Sequence, residues 1–256
     1  PKPDGTVSSG IVLYYYSPVF LSLAAVEETV EVPIDQRKEL YILEKLIDGP
    51  DSNPFLNTII NSKTKVISVT DSASTISVTL SNEFLSLPES ALKISDDKNM
   101  LLRMCVYSVV NSLTEYGQFD KVQILIDVNN TGIGERVTRG ALGFTDNPEE
   151  YLESLSRDDS TLLTPRRALK TAFELIENKD WSTLYSLIPE TQERIEYELF
   201  SSLCNTHIEN LMLEGELSYG SVAPNGKTAV ITASFRITGI SERSYQDIPI
   251  VLNKTN

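Results

Sequence analysis

The sequence predicts an α+β protein of two domains: a mixed sheet with helices packed on it, then helices followed by an antiparallel sheet. Three observations predict it. Residues 97–127, DKNMLLRMCVYSVVNSLTEYGQFDKVQILID, read as one long helix and a strand too apolar for a surface. Leu101, Cys105, Val109 and Leu113 recur every four residues, flanked by Leu102, Val106 and Val110, an apolar arc wide enough to face a sheet. At 256 residues the chain suits two domains, each with its own core. In the second half helical patterns come first, and an Asn225-Gly226 hairpin signal between alternating strands comes after.

Taken in order, PKPDGTVSSG is rich in Pro, Gly and Ser and reads as a flexible tether over 1–9. With Pro1 first and no initiator Met, a processed or trimmed N-terminus is expected. Ile11 to Tyr16 is a strand of β-branched and aromatic residues broken by Pro18, and Phe20 to Val32 is its antiparallel partner, with Val26, Val30 and Val32 set among acids. Asp35 to Asp48 is a helix capped by Asp35, apolar at Leu40, Leu43 and Ile47, and ended by Gly49-Pro50. A turn of helix is expected over 55–60, then strands at Thr64 to Val69 and Thr75 to Leu80. Asp96 and Asp97 suit the N-terminus of the long helix and Gly117 its end. Val122 to Ile126, apolar on both faces, reads as a strand covered on each side.

Residues 131–160 are Gly-rich and then acidic, an interdomain linker that packs back on the first domain. Gly132, Gly134 and Gly140 lack the spacing of a dinucleotide or phosphate loop. The second domain spans 161–256. Thr164-Pro165 caps a helix buried through Ala168, Leu169, Ala172, Phe173 and Ile176. Asp180-Trp181 opens a short second helix, and Thr191 to Leu203 is a third with Ile195, Leu199, Phe200 and Leu203 inward. Strands follow at 208–214, 216–223, 227–237 and 248–252.

Composition excludes several classes. The hydrophobic share of 41% with 23% charged residues is that of a globular chain. No run approaches the roughly 20 apolar residues of a membrane span. The net charge of −14 is spread along the chain without a basic cluster, which argues against nucleic acid as a partner. Cys105 and Cys204 are too few for a disulfide framework: either both are reduced and buried, or they staple the domains.

The first half resembles a known family. LEKLIDGP (43–50), the strand from Lys65 to Val69, ISVTLSNEF (76–84) and SVVNSLTEYGQFDKVQILID (108–127) resemble the GerMN domain of sporulation and spore-germination proteins. Its helix-ending Gly-Pro, its Leu-Ser-x-x-Phe and its Leu-Thr-Glu stand here at Gly49-Pro50, Leu80 to Phe84 and Leu113 to Glu115. The chain departs at Thr79, where an acid is common, and at Asp127-Val128-Asn129, where a Gly usually follows the strand. The resemblance covers 10–127, within a domain expected over 10–130, and implies a non-catalytic, extracytoplasmic assembly domain, often borne on a lipoprotein. It also implies envelope or spore-assembly proteins as partners, self-association as an option, and membrane contact only through an anchor outside this sequence. The second half, in its order of elements, looks like the cone fold of the nuclear transport factor and ketosteroid isomerase superfamily. Such domains finish with one more strand than is expected here, so a short sheet is expected.

Chemistry has few candidates. His207, the one histidine, cannot build a multi-histidine metal centre and has no G-x-S-x-G beside it, so a surface or capping role is expected. Glu190, Glu193, Glu196 and Glu198 read as a solvated face rather than a cation site. Tyr14, Tyr15 and Tyr16 either pack a sheet or stack on glycan. No catalytic, cofactor or metal residue is assigned and no cofactor is expected. Two function classes remain: an interaction protein of a spore-former's envelope, or a ligand-binding or enzymatic module. The second predicts an apolar pocket in the cone lined by Phe173, Leu199, Phe235 and Ile237 with Trp181 over its mouth.

Overall fold

Ile11, Leu13, Tyr14, Tyr15 and Tyr16 are all buried, so the first strand has core on both faces. In the computed structural model, which describes residues 5–50 and 53–254, it runs as β1 (Thr6–Ser17) against β2 (Ser22–Pro33). They form an antiparallel ribbon from Thr6 opposite Pro33 to Ser17 opposite Ser22. The tether expected over 1–9 is therefore corrected: residues 6–9 are strand, held by cross-strand pairing, and 1–4 lie outside the described residues. The chain divides into two units, Pro1–Leu162 and Leu163–Asn256.

In the first unit α1 (Lys38–Asp48) buries Ile42, Leu43, Leu46 and Ile47. Arg37, not Asp35, occupies its N-cap. Gly49 closes it at φ +95°, donating to the Lys45 carbonyl, where a side chain would meet Thr58. The helical turn expected over 55–60 is absent: Asn57 N–H instead bonds the Tyr16 carbonyl on the free edge of β1. β3 (Val66–Ser72) pairs antiparallel with β4 (Thr75–Ser81), and β4 pairs parallel with β5 (Lys121–Asp127). The crossover between β4 and β5 carries α2 (Glu89–Leu92) and α3 (Lys98–Thr114).

The Asp97 carboxylate caps α3 by accepting from Met100 N–H at 2.9 Å. Leu101, Cys105, Val106, Val109, Val110 and Leu113 are all buried, and the helix touches β1, β2, β5 and α1. Ser108 Oγ donates to the Tyr14 carbonyl and Ser112 Oγ accepts from Tyr14 N–H, so two serines one turn apart satisfy an edge that no strand pairs.

Residues 131–160 are not a linker, although they pack back on the first unit as expected. Ile126 and Glu135 exchange both backbone bonds at 2.9 Å, and Val122 and Leu155 do so at 2.8 and 2.9 Å, which closes the outer edge of β5. Leu142 and Leu152 are fully in the core. Gly134 lies against Thr79 and Leu125, covering the second face of the sheet. A chain that buries its side chains and completes a sheet belongs to the domain.

The second unit opens as expected, with Thr164 Oγ1 accepting from Arg167 N–H and Pro165 at the first position of α4 (Pro165–Glu177). The Asp180 carboxylate caps α5 (Trp181–Ser186). The third helix, α6 (Tyr197–His207), starts six residues later than expected because Tyr185 Oη and the Arg194 guanidinium hold 191–196 outside it. β8 (Thr228–Thr238) is the central strand. β9 (Arg243–Asn253) pairs along one side, and β6 (Asn210–Leu213) and β7 (Ser221–Val222) share the other. The strand expected over 216–223 shrinks to β7, since Gly215 and Gly220 at φ +83° and +78° turn the chain out of the ladder. The Asn225-Gly226 hairpin is present, with Gly226 at φ +67°. Leu169 and Phe173 of α4 pack on Leu211, Leu217, Ile231 and Ala233.

Candidate interaction surface

The buried and half-buried polar side chains around α3 hold the first unit together. Tyr14 Oη donates to Glu115 Oε2 at 2.7 Å, and Arg157 bonds both partners while its Nε donates to Asp159 Oδ1 at 2.7 Å. Burial, then the Glu115 hydrogen bond, pushes the Tyr14 hydroxyl up to about 12. Fully buried Asn111 accepts from Asp158 N–H at 3.0 Å and donates to Thr161 Oγ1 at 3.0 Å and to the Asp158 carbonyl at 3.3 Å. Together these groups clamp 157–161 onto α3. Sequence reasoning passed over Asn111 and Arg157, and the available signal was an Asn inside the apolar run SVVNSL.

Buried Asp127 accepts from Thr131 N–H and Gly132 N–H, each at 2.8 Å. The backbone donors of the Gly-rich loop thus point at the protein's own carboxylate. Ser81 Oγ accepts from Lys65 N–H and donates to Glu83 Oε2 at 2.6 Å, the bond that lowers the Glu83 carboxyl, and Phe84 is buried. Gly49-Pro50, Ser81 to Phe84 and Leu113 to Glu115 are therefore turn, strand-end and clamp positions.

The tyrosine triplet is packed rather than displayed. Tyr15 Oη donates to the Lys45 carbonyl at 2.9 Å, but Tyr16 Oη, fully buried, has no partner among the described residues. Burial, then the Asp97 charge, pushes Tyr16 up to about 12 from an ordinary value near 10. Tyr16→Phe is expected to raise stability by about 1 kcal/mol at neutral pH, because an unpaired buried hydroxyl is removed. Neutral Tyr16 supports the fold fully below pH 10, and that support is lost as pH rises through about 12. The advantage of Phe should therefore widen at pH 11, which urea unfolding at the two pH values would measure.

Residues expected to share a pocket are divided. Phe173 and Phe235 meet with ring centroids 5.5 Å apart, and Ile237 packs on the same cluster. Trp181 is buried and donates Nε1–H to Asn205 Oδ1 at 2.8 Å, pinning α5 to α6. Leu199 is a correction: it is 53% exposed, because α6 turns Phe200, not Leu199, toward Tyr185. Ile195 and Leu203, also expected inward, are 41% and 42% exposed. His207 is exposed in the last turn of α6, and Glu190, Glu193, Glu196 and Glu198 are exposed. Both cysteines are free thiols. Cys105 is buried and donates Sγ–H to the Ile59 carbonyl, and its burial pushes the thiol up. Among the described residues no group of His, Cys, Asp and Glu is placed to hold a metal, and no helix is long and apolar enough to cross a membrane.

What the first unit offers outward is an edge and a shallow depression. β3 pairs on one side only and exposes Ile67, with Arg37 bound to the Val69 carbonyl and to Asp71 across part of it. Val7, Val32 and Ile34 line the depression with Gln36 and Lys38.

Comparison with known proteins bears on this unit. Residues 12–129 match the family model Germane, described as sporulation and spore germination. The tandem GerMN domains of the sporulation protein GerM from Bacillus subtilis align at 14% identity with a TM-score of 0.40, covering 64% of this chain and 49% of that one. This chain therefore spans about half the length of that structure. The first GerMN domain of the same protein aligns at 22% identity with a TM-score of 0.36, covering 59% of this chain and 99% of that one. No curated protein matches.

Proposed function

We propose that this chain is a non-catalytic protein of a spore-forming bacterium that acts by protein–protein contact in sporulation, germination or envelope assembly. One observation carries the reading: the match of residues 12–129 to a family described by sporulation and spore germination. The geometry supports the contact mode, since the polar groups of the three motif segments are consumed in caps, strand ends and the Tyr14–Glu115–Arg157 clamp. The open edge of β3 and the Val7–Val32–Ile34 depression are the surfaces through which the first unit would meet envelope or spore-assembly proteins, or a second copy. An extracytoplasmic place, held by an N-terminal lipid anchor, is part of this proposal, and the resemblance of the first unit supports it. The second unit is read as a cone fold, supported by its three helices before an antiparallel sheet.

In-cell cross-linking with mass spectrometry, in growing and in sporulating cells, tests this reading. The expected result is links from residues 66–72 and 32–38 to spore-envelope proteins, seen only in sporulation. Links confined to wall-processing enzymes, or the same links in growing cells, would overturn it.

A further inference from the structure

We propose that the outer face of α6 docks a basic amphipathic helix of a partner protein. Helix α6 buries no residue, and within its unit it leans on α5 through Tyr197 and Phe200, whose rings lie 5.4 and 5.3 Å from that of Tyr185. Leu199 and Leu203, one turn apart, are exposed beside that contact, and Ile195, in the segment before the helix, is exposed as well. The sequence is patterned as a helix with an apolar stripe to bury, and the fold leaves that stripe uncovered. Exposed large apolar side chains grouped on one helix mark a contact surface.

Charge selects the occupant. Residues 186–209 hold five carboxylates and one arginine. The arginine, Arg194, is engaged with Glu190 at 3.6 Å and stacked 3.8 Å over the Tyr185 ring. Glu193, Glu196 and Glu198 are exposed and have no cationic partner among the described residues. An apolar stripe beside unpaired carboxylates is complementary to a helix with leucine-like residues at i and i+4 flanked by Lys or Arg. A second copy would set carboxylates against carboxylates, and an anionic lipid surface would be repelled. This inference stands apart from the sporulation reading, which rests on the first unit.

The test uses the full chain and a labelled synthetic amphipathic peptide of Leu and Lys, roughly 14 residues and so long enough for helix. The comparison peptide has the same composition scrambled to break the helical spacing. Fluorescence anisotropy should show wild type binding the amphipathic peptide and not the scrambled one. Leu199→Ser with Leu203→Ser should weaken binding about tenfold or more. Glu193→Gln, Glu196→Gln and Glu198→Gln together should weaken it severalfold and flatten its salt dependence. Equal binding of both peptides, or undiminished binding by the Leu variant, would overturn the proposal. So would a wild-type dimer in sedimentation that the Leu changes dissociate, which would assign the face to a second copy. A fall in melting temperature of the Leu variant without peptide would show the stripe to be buried within the chain, and would also overturn it.

Discussion

Gly143→Ala is expected to destabilise the first unit by about 3 kcal/mol or more, while Gly132→Ala costs only about 1 kcal/mol. Both glycines sit at positive φ, +82° and +81°, so both variants meet the same backbone strain. They differ in what surrounds them. A side chain at 132 enters open space, whereas at 143 it would run into the Asn99 carbonyl oxygen and lie 2.9 Å from Leu102 Cβ. Relief would require 140–144 to lift from α3, taking fully buried Leu142 and the Phe144 ring off Tyr107. For a unit of this size the loss corresponds to a melting temperature on the order of 10 °C lower. Paired denaturant and thermal unfolding of the two variants separates the steric cost from the strain they share, and equal losses would show that the loop moves freely.

Asn111→Ala should cost about 2–4 kcal/mol, from a polar cavity and the backbone groups of Asp158 left without partners. Its signature is regional. Hydrogen exchange should accelerate at 157–162 more than in the first half of α3, since Asn111 holds that segment through Asp158 and Thr161. Uniform acceleration would instead mean that Asn111 acts only as core filling.

The readable parts of the fold were those set by local chemistry. The period of α3, the Asp97 and Asp180 caps, the Thr164-Pro165 start and the Asn225-Gly226 hairpin each rest on residues within one turn of one another. Features set by distant pairing were not readable in this way. Arg157 meets Tyr14 across 143 positions, and nothing local to SRDD announces that contact. The pairing of Glu135 and Leu155 with β5 likewise leaves no period, which is why 131–160 read as a linker. The α6 stripe misled for another reason: its amphipathic pattern is present, but the surface it fits is not within its own unit among the described residues. Leu199 departs from the expected pocket for the same reason, because spacing alone points it inward.

The closure of β5 by residues 131–160 separates what evolution marks from what folds. The family match stops at residue 129, yet a fragment ending there would strip Ile126 and Val122 of backbone partners and remove Leu142, Phe144 and Leu152 from the core. Such a fragment presents a raw, flat strand to every other copy in solution, and chains in that state exchange strands or precipitate. The first unit therefore runs to residue 162, and the segment past the recognisable motif works as a seal on the outer edge of β5.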